Sequence, residues 1–235
     1  MPLKKYRRRG GKDPIDGSLA SPFNIFNPHD DPSPVYDGES IIMTSIDPGI
    51  KNCGIYVQKI NMLNDTKRSI FLSRMEFNQD ENHYISSIKK LEKLEEKTKI
   101  FSRSHYIVIE KQMVMSIPNT RMGQHLISFF STFVRNKGKR PIIFELVPTA
   151  KTRVLKCPPK MKKPDYKKWC YKKAISLLEE RDEEAEEKYI VCIESAKKKD
   201  DMGDSICQSE ACYILMKSNL YDYPRPVKEE KVEKE

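Results

Sequence analysis

The sequence lacks several features that would place it in common classes of protein. No apolar run approaches the roughly 20 residues that a membrane span needs, and the N-terminus carries no apolar segment like that of a secretory signal. Histidine is scarce, at 4 residues, and none of the 6 cysteines forms a Cys-x-x-Cys pair, so we expect no zinc site. We therefore expect an intracellular protein with no membrane partner, whose cysteines are reduced structural thiols.

Charge dominates the composition. Hydrophobic residues make up only 38% of the 235 residues, which predicts that part of the length is disordered. The formal net charge is +9 at pH 7. A basic excess favours a polyanionic partner, nucleic acid before membrane, although a basic surface could also serve only solubility.

The two ends of the chain differ in composition from its middle. Residues 1–40 start with a basic cluster at residues 4–9 and continue with many Pro, Gly, Asn, Asp and Ser residues, which predicts a disordered basic arm. The basic cluster could be a nuclear address, a phosphate-binding arm or an ordinary solvated tail. Residues 221–235 are rich in Lys and Glu and predict a second disordered tail. The folded domain is predicted to span residues 41–220.

Strands and helices are predicted to alternate in that domain, in the order βββαβαβα. The predicted strands cover residues 41–47, 53–60, 69–77, 106–110 and 141–147, and the predicted helices cover 82–102, 119–134 and 202–216. The acidic residues 179–187 predict a solvated turn or helix end, and residues 189–193 could be a short strand or a buried link. This order predicts the α/β class, with a mixed five-stranded sheet flanked by helices.

Four carboxylates stand where predicted apolar structure ends or where a predicted helix begins. Asp47 closes the first strand and Glu110 closes the fourth. Asp201 and Asp204 open the last helix on one face. Each acid alone could be only the polar end of a strand or a helix cap. If the first and fourth strands pair in parallel, however, these acids can meet at one edge of the sheet.

A cluster of four carboxylates requires positive charge, because like charges a few ångströms apart repel strongly. Hard oxygen ligands select Mg²⁺, with Mn²⁺ as a substitute. With two ions in the site, one activates a water for attack on phosphorus and the other stabilises the leaving oxygen. The four acids are therefore the predicted catalytic and metal-binding residues of a two-metal nuclease.

The most basic internal stretch, residues 151–173, suits contact with a phosphate backbone, because its cations alternate with aromatic residues. Alternatively, the lysines could only solvate an amphipathic helix whose Trp169 packs inward. Lys167 or Lys168 is predicted to be catalytic by offsetting charge on the phosphate. The other predicted DNA contacts are Lys51, Lys111, Arg121, Lys151, Arg153, Lys160, Lys162, Lys163, Lys172 and Lys173.

Small residues after Asp47 are predicted to keep the backbone close to the site. Gly49 allows a tight turn, Asn52 is predicted to hold that turn through its side chain, and Gly54 follows on the next strand. Glu145 stands inside an apolar strand and could face either solvent or the site.

The segment at residues 47–54, Asp-Pro-Gly-Ile-Lys-Asn-Cys-Gly, resembles the first motif of RuvC-like nucleases, in the form found in poxviral and fungal mitochondrial Holliday junction resolvases. Residues 109–112 and 199–205 are similar to their second and last motifs, and Val147-Pro148 resembles the exit of the fifth strand. This resemblance covers about residues 41–218. It implies an RNase H-like fold, Mg²⁺ held by the same four acids, and homodimers that nick opposite strands of a four-way DNA junction.

The compact length favours the poxvirus type among these resolvases. That would place the protein at sites of DNA replication in the host cytoplasm or nucleus, acting in recombination or on replication intermediates. Two alternatives stay open: another nuclease of this fold, for RNA–DNA hybrids or branched DNA, and a non-catalytic nucleic-acid-binding module. Retention of all four acids argues against the binding module, because binding alone does not need the cluster.

Overall fold

Strands and helices alternate along the part of the chain that the computed structural model describes, residues 22–26, 35–78, 80–113, 115–135, 138–181, 183–218 and 227–228. The strands are β1 (Phe23–Phe26), β2 (Val35–Tyr36), β3 (Ser40–Asp47), β4 (Asn52–Asn61), β5 (Lys67–Glu76), β6 (Tyr106–Glu110), β7 (Ile142–Leu146) and β8 (Val227–Lys228). The helices are α1 (His83–Thr98), α2 (Ile117–Phe133), α3 (Pro148–Val154), α4 (Lys163–Glu179), α5 (Glu183–Ser195) and α6 (Lys199–Lys217). None of these helices is both long and apolar enough to cross a bilayer.

A six-stranded mixed sheet lies at the centre, in the order β1-β7-β6-β3-β4-β5. Strands β3, β4 and β5 form an antiparallel meander, whereas β3, β6 and β7 run parallel to one another. Parallel neighbours need long connections, and α1 and α2 lie in the connections that lead to β6 and β7. The predicted α/β class and mixed sheet are confirmed, with one strand more than the five predicted.

Helices cover both faces of the sheet, so its central strands are apolar almost throughout. In β6 every residue before Glu110 is buried, as is typical of a parallel strand inside a sheet. The aromatic and aliphatic side chains of α2, including Leu126 and Phe130, pack on one face with those of α1. Helices α4, α5 and α6 cover the other face around residues such as Ile206 and Leu178. The core thus has two layers, one on each side of the sheet.

The first long helix begins where the sequence predicts and ends earlier. The side chain of Asn82 accepts hydrogen bonds from the backbone N–H groups of the next turn, which confirms it as the N-cap of α1. The helix was predicted to run to residue 102 but ends at Thr98. Lys99 adopts a left-handed conformation, with φ of 53°, and its N–H donates to the carbonyl oxygen of Glu95. That left-handed residue turns the chain out of the helix about one turn early.

Part of the predicted disordered arm belongs to the sheet. Residues Phe23–Phe26 form the edge strand β1, antiparallel to β7, so the prediction is wrong for this segment. Phe23 is 5% exposed, and its ring centroid lies 5.1 Å from that of Phe144. Four residues are too few for their periodicity to predict a strand. The two-residue strands β2 and β8 pair in parallel, and the basic cluster at residues 4–9 lies outside the described residues.

The acidic stretch is part of a packed helix, α5, and the predictions for this region are wrong on two points. Residues 189–193 are helical, and Glu186, predicted to be solvated, is fully buried. Its carboxylate accepts a 2.7 Å hydrogen bond from the backbone N–H of Ser69 and a second bond from the Ser69 hydroxyl. A buried acid satisfied in this way anchors α5 to the edge strand β5. Sequence alone does not identify such a partner, because the two residues stand 117 positions apart.

The start of α6 approaches its neighbours closely at two glycines. A Cβ at Gly54 in β4 would lie 2.1 Å from the backbone oxygen of Asp201. A Cβ at Gly203 in α6 would lie 2.8 Å from the Cα of Tyr171 in α4. Real side chains do not tolerate these separations. The two glycines therefore fix the first turns of α6 between β4 and α4.

We expect Gly54→Ala to lower the free energy of unfolding by about 1–3 kcal/mol, because the crowded atom is backbone and cannot rotate away. Urea denaturation followed by circular dichroism measures the change. Gly123→Ala in α2 is the matched control: its Cβ would only touch Gln112 at 3.8 Å, and alanine stabilises a helix interior by about 0.5–1 kcal/mol over glycine. A Gly54→Ala protein as stable as this control would contradict the close approach.

Candidate active site

Two parallel strands bring Asp47 and Glu110 to the same edge of the sheet. Ile46 in β3 lies opposite Ile109 in β6, so the acids that follow them leave neighbouring strands side by side. Burial raises the pKa of the Asp47 carboxyl well above its usual range, and the charge of Glu110 raises it further. The two acids are therefore close enough to repel each other.

Helix α6 adds the other two predicted acids, Asp201 and Asp204, from its first two turns. The charge of Asp204 also raises the pKa of Asp47, and that of Asp201 does so to a smaller extent. Acids contributed by β3, β6 and α6 thus act on one another electrostatically. The structure brings together residues that are up to 157 positions apart in the printed sequence.

Gln208 fastens α6 across the strands that carry the acids. Its buried side-chain amide donates to the carbonyl oxygen of Ile46 at 3.2 Å and to that of Val108 at 3.0 Å. These are backbone groups of β3 and β6, just before the strand ends. Since Gln208 follows Asp204 by about one helical turn, these bonds set how far the acids of α6 reach over the sheet.

Lys151 lies among the acids. The residue is 3% exposed, its Nζ lies 2.5 Å from Oε2 of Glu110, and it also donates to Asp204. Burial alone lowers the pKa of this lysine, but the charges of Glu110, Asp204 and Asp47 outweigh burial and raise it well above its usual value. Lys151 therefore stays protonated and neutralises part of the cluster.

The sequence predicted a different role for Lys151. It predicted a DNA contact, and the structure places this side chain, only 4% exposed, among the acids. A signal was present: Pro148 is in the first turn of α3, directly after β7, and Lys151 follows within one turn. Because β7 is the parallel neighbour of β6, this position lies beside Glu110.

Asp201 is held by two donors from the meander. The side-chain amide of Asn52 donates to Oδ2 of Asp201, and Nε of Arg74 donates to the same oxygen at 2.9 Å. Asn52 was predicted to hold the turn after Asp47, whereas here it reaches the acid on α6. The sequence carried no signal for Arg74, which stands 127 positions from Asp201. A Cβ at Gly49 would lie 2.5 Å from the carbonyl oxygen of Asn52, so this turn is tight.

The two lysines predicted to be catalytic lie outside the centre of the cluster. Lys167 pairs with Asp200. The hydrogen bond to Asp200 raises the pKa of Lys167, the charge of Asp201 adds to this effect, and burial opposes it. Lys168 is exposed. Lys167 therefore lies at the rim of the acids, whereas Lys151 lies among them.

Most of the other predicted DNA contacts are at the surface. The exposed ones are Lys51, Arg121, Arg153, Lys160, Lys162, Lys163 and Lys172, and the half-buried ones are Lys111 and Lys173. Glu145 faces neither open solvent nor the acids: it accepts a 2.6 Å hydrogen bond from Asn24 of β1 and lies 3.9 Å from Lys111. Trp169 packs partly inward against the α4–α6 core and lies 5.9 Å from the ring of Tyr166.

The four acids suit a divalent cation by chemistry and charge. Carboxylate oxygens are the ligands that Mg²⁺ and Mn²⁺ prefer, and the two cations that contact the acids, Lys151 and Arg74, balance only half of their charge. As the side chains stand, no group of three or more acidic, histidine or cysteine residues in the described part of the chain is arranged to hold a metal ion. Lys151 and Arg74 engage three of the four acids instead.

The fold is similar to that of solved Holliday junction resolvases. The structure of fowlpox virus resolvase with substrate Holliday junction DNA has a TM-score of 0.53 and 18% identity, covering 77% of this chain and 100% of that one. A second structure, of the fowlpox virus Holliday junction resolvase, has a TM-score of 0.52 and 17% identity, covering 76% and 99%. The chain thus has the RNase H-like fold of RuvC-like resolvases, and the predicted fold is confirmed.

Sequence comparison gives a viral relative. No protein-family model matches the chain. Uncharacterized protein 97L of Invertebrate iridescent virus 3 is 26% identical over 124 residues, which are 53% of this chain and 55% of that protein. The match therefore spans about half the length of this relative.

The structure of the yeast mitochondrial Holliday junction resolvase Ydc2 has a TM-score of 0.48 and 16% identity, covering 76% of this chain and 79% of that one.

We expect Asp47→Asn to stabilise the protein when divalent metal is chelated. Because the folded state raises the pKa of Asp47, ionising this acid costs stability above its ordinary pKa of 3.8 and costs nothing well below it. The variant should gain about 1 kcal/mol or more at pH 7.5, and the gain should vanish at acid pH. Urea denaturation with EDTA at several pH values measures the difference, with the exposed Glu92→Gln as control. An equal gain at all pH values would refute the electrostatic origin.

Proposed function

We propose that the protein is a divalent-metal-dependent DNA endonuclease that resolves four-way junctions, with Mg²⁺ as the ordinary cofactor and Mn²⁺ as a substitute. The observation that carries this proposal is the meeting of acids from β3, β6 and α6 around one buried lysine at a single sheet edge. The fold supports it, since the fowlpox virus resolvase, 18% identical, is described with its substrate Holliday junction DNA.

The proposed metal ligands are Asp47, Glu110, Asp201 and Asp204. Bound divalent ions would lower the pKa of an attacking water and stabilise the leaving oxygen of a phosphodiester. Asp47 has the greatest need of a cation, because no side chain among the described residues donates a hydrogen bond to its carboxylate. The other three acids already pair with Lys151 or Arg74. The raised pKa of Asp47 reflects that need.

Lys151 is proposed to act as a fixed positive charge within the site. Its contacts hold Glu110 and Asp204 in their orientation, and its burial keeps bulk water from screening the charge. A preorganised cation beside a reacting phosphate stabilises the extra negative charge of the transition state. Lys167, at the rim, is proposed to bind the phosphate backbone just outside the acids.

We further propose that the active form is a homodimer. A four-way junction is nearly two-fold symmetric, and paired nicks on opposite strands need two sites related by the same symmetry. Junction resolution would place the protein in recombination or in the processing of replication intermediates, and the 26% identity with a protein of Invertebrate iridescent virus 3 supports a viral source.

Cleavage of a synthetic four-way junction tests the proposal directly. The protein is incubated with the junction, a linear duplex and an RNA–DNA hybrid of equal length, with Mg²⁺, with Mn²⁺ and with EDTA. Symmetric, ligatable nicks in the junction that require metal support the proposal. Preferential cutting of the hybrid would instead favour the alternative nuclease of the same fold.

We expect Asp204→Asn to lower the cleavage rate by roughly a hundredfold or more, because a metal ligand is lost. Junction binding should be unchanged or tighter, since a negative charge near phosphate is removed. Binding is measured by electrophoretic mobility shift with Ca²⁺, and cleavage is measured with Mg²⁺. Glu92→Gln, an exposed acid on α1, is the control for both measurements. Full cleavage by Asp204→Asn would refute the assignment of the metal site.

A further inference from the structure

A basic groove opens beside the acid cluster, between the start of α4 and the start of α6. It has a volume of about 330 Å³. Its lining residues are Pro164, Lys167, Lys168, Tyr171, Lys197, Lys199 and Asp200. Asp200 directly precedes the site acid Asp201, and the charge of Asp201 acts on Lys167. The groove therefore borders the acid cluster.

Positive charge exceeds negative charge in this groove. Among the described residues, Lys167 is the one lysine of the groove with an acidic partner, Asp200. Lys168 and Lys197 are exposed and form no ion pair among the described residues, and Lys199 lies 5.8 Å from the ring centroid of Tyr171. Four lysines against one carboxylate leave a surface that suits a chain of phosphates.

Two of these lysines come from a segment whose function the sequence did not suggest. Lys197 lies in the turn between α5 and α6, and Lys199 is the first residue of α6. The same segment exposes Glu184 and Glu187 on α5. An acidic surface repels a polyanion and a basic one attracts it, so the two ends of this segment differ in their affinity for phosphates.

We propose that this groove binds the sugar-phosphate backbone of one DNA arm, with Lys197 and Lys199 as phosphate contacts. The inference rests on the proposed function, because it assigns a DNA-binding surface to the same site. It extends that function to a segment, residues 196–199, that was not among the predicted DNA contacts. The chemistry recognised is the phosphate backbone, so binding through the groove is independent of base sequence.

The double variant Lys197→Glu/Lys199→Glu tests the groove. Fluorescence anisotropy is measured with Ca²⁺ at 50 to 200 mM salt, on a four-way junction and on a linear duplex of one arm. We expect the affinity for both DNAs to fall roughly tenfold or more. The plot of log affinity against log salt concentration should become less steep by about 1.8, because each of the two lost phosphate contacts contributes about 0.9 to the slope. Lys197→Arg/Lys199→Arg keeps the charge and should bind like the unaltered protein.

Lys93→Glu/Lys97→Glu is the charge-matched control. Both lysines are exposed on α1, on the opposite face of the sheet, and the change in net charge is identical. Its affinity should change less than about twofold. Equal losses of DNA affinity in the two double variants would refute the proposal that the groove binds DNA.

Cleavage by the unaltered protein, measured separately, keeps the two proposals apart. DNA binding that depends on the groove without any cleavage would refute the nuclease and leave the groove supported. Cleavage together with groove variants that bind like the control would refute the groove alone.

Discussion

The repulsion among carboxylates gathered at one sheet edge determines much else in the molecule. Three elements deliver acids to this edge, where burial and the charges of Glu110 and Asp204 raise the pKa of Asp47. A buried, protonated lysine is costly unless acids surround it, and buried acids are costly unless a cation joins them. Lys151 and the acids therefore depend on one another for their burial. The remaining negative charge makes the edge a place where further cations are stabilised.

The sheet determines where that charge gathers. Parallel pairing of β3 with β6, and of β6 with β7, places three successive strand exits side by side. Each exit then contributes one charged group: Asp47, Glu110, and Lys151 one turn into α3. Binding at the carboxyl ends of parallel strands is a general property of α/β sheets. In this chain α6 closes the edge from the other side.

Periodicity and strand-end position were sufficient to predict the central strands, the places of Asp47 and Glu110 at strand ends, and the N-cap Asn82, because these depend on residues close in sequence. Residues with distant partners could not be predicted. The pairing of Arg74 with Asp201 and the burial of Glu186 against Ser69 both join segments more than 100 positions apart. The strand Phe23–Phe26 was missed for another reason: its stability comes from contacts with β7, such as that between Phe23 and Phe144, and not from its own pattern. For Lys151 the sequence could predict the position, one turn after β7, but not the burial of its side chain.

The anchoring of α6 has a consequence for how the chain can vary. Gly54, Gly203 and Gln208 fix this helix by direct contact with β4, α4 and the strand ends. Its position is thus set independently of the chain that leads into it. Since closing a longer loop costs only about 0.6 kcal/mol for each doubling of its length, the turns on either side of α5 can gain residues without moving Asp201 or Asp204. The placement of these two acids therefore does not depend on the length of those turns.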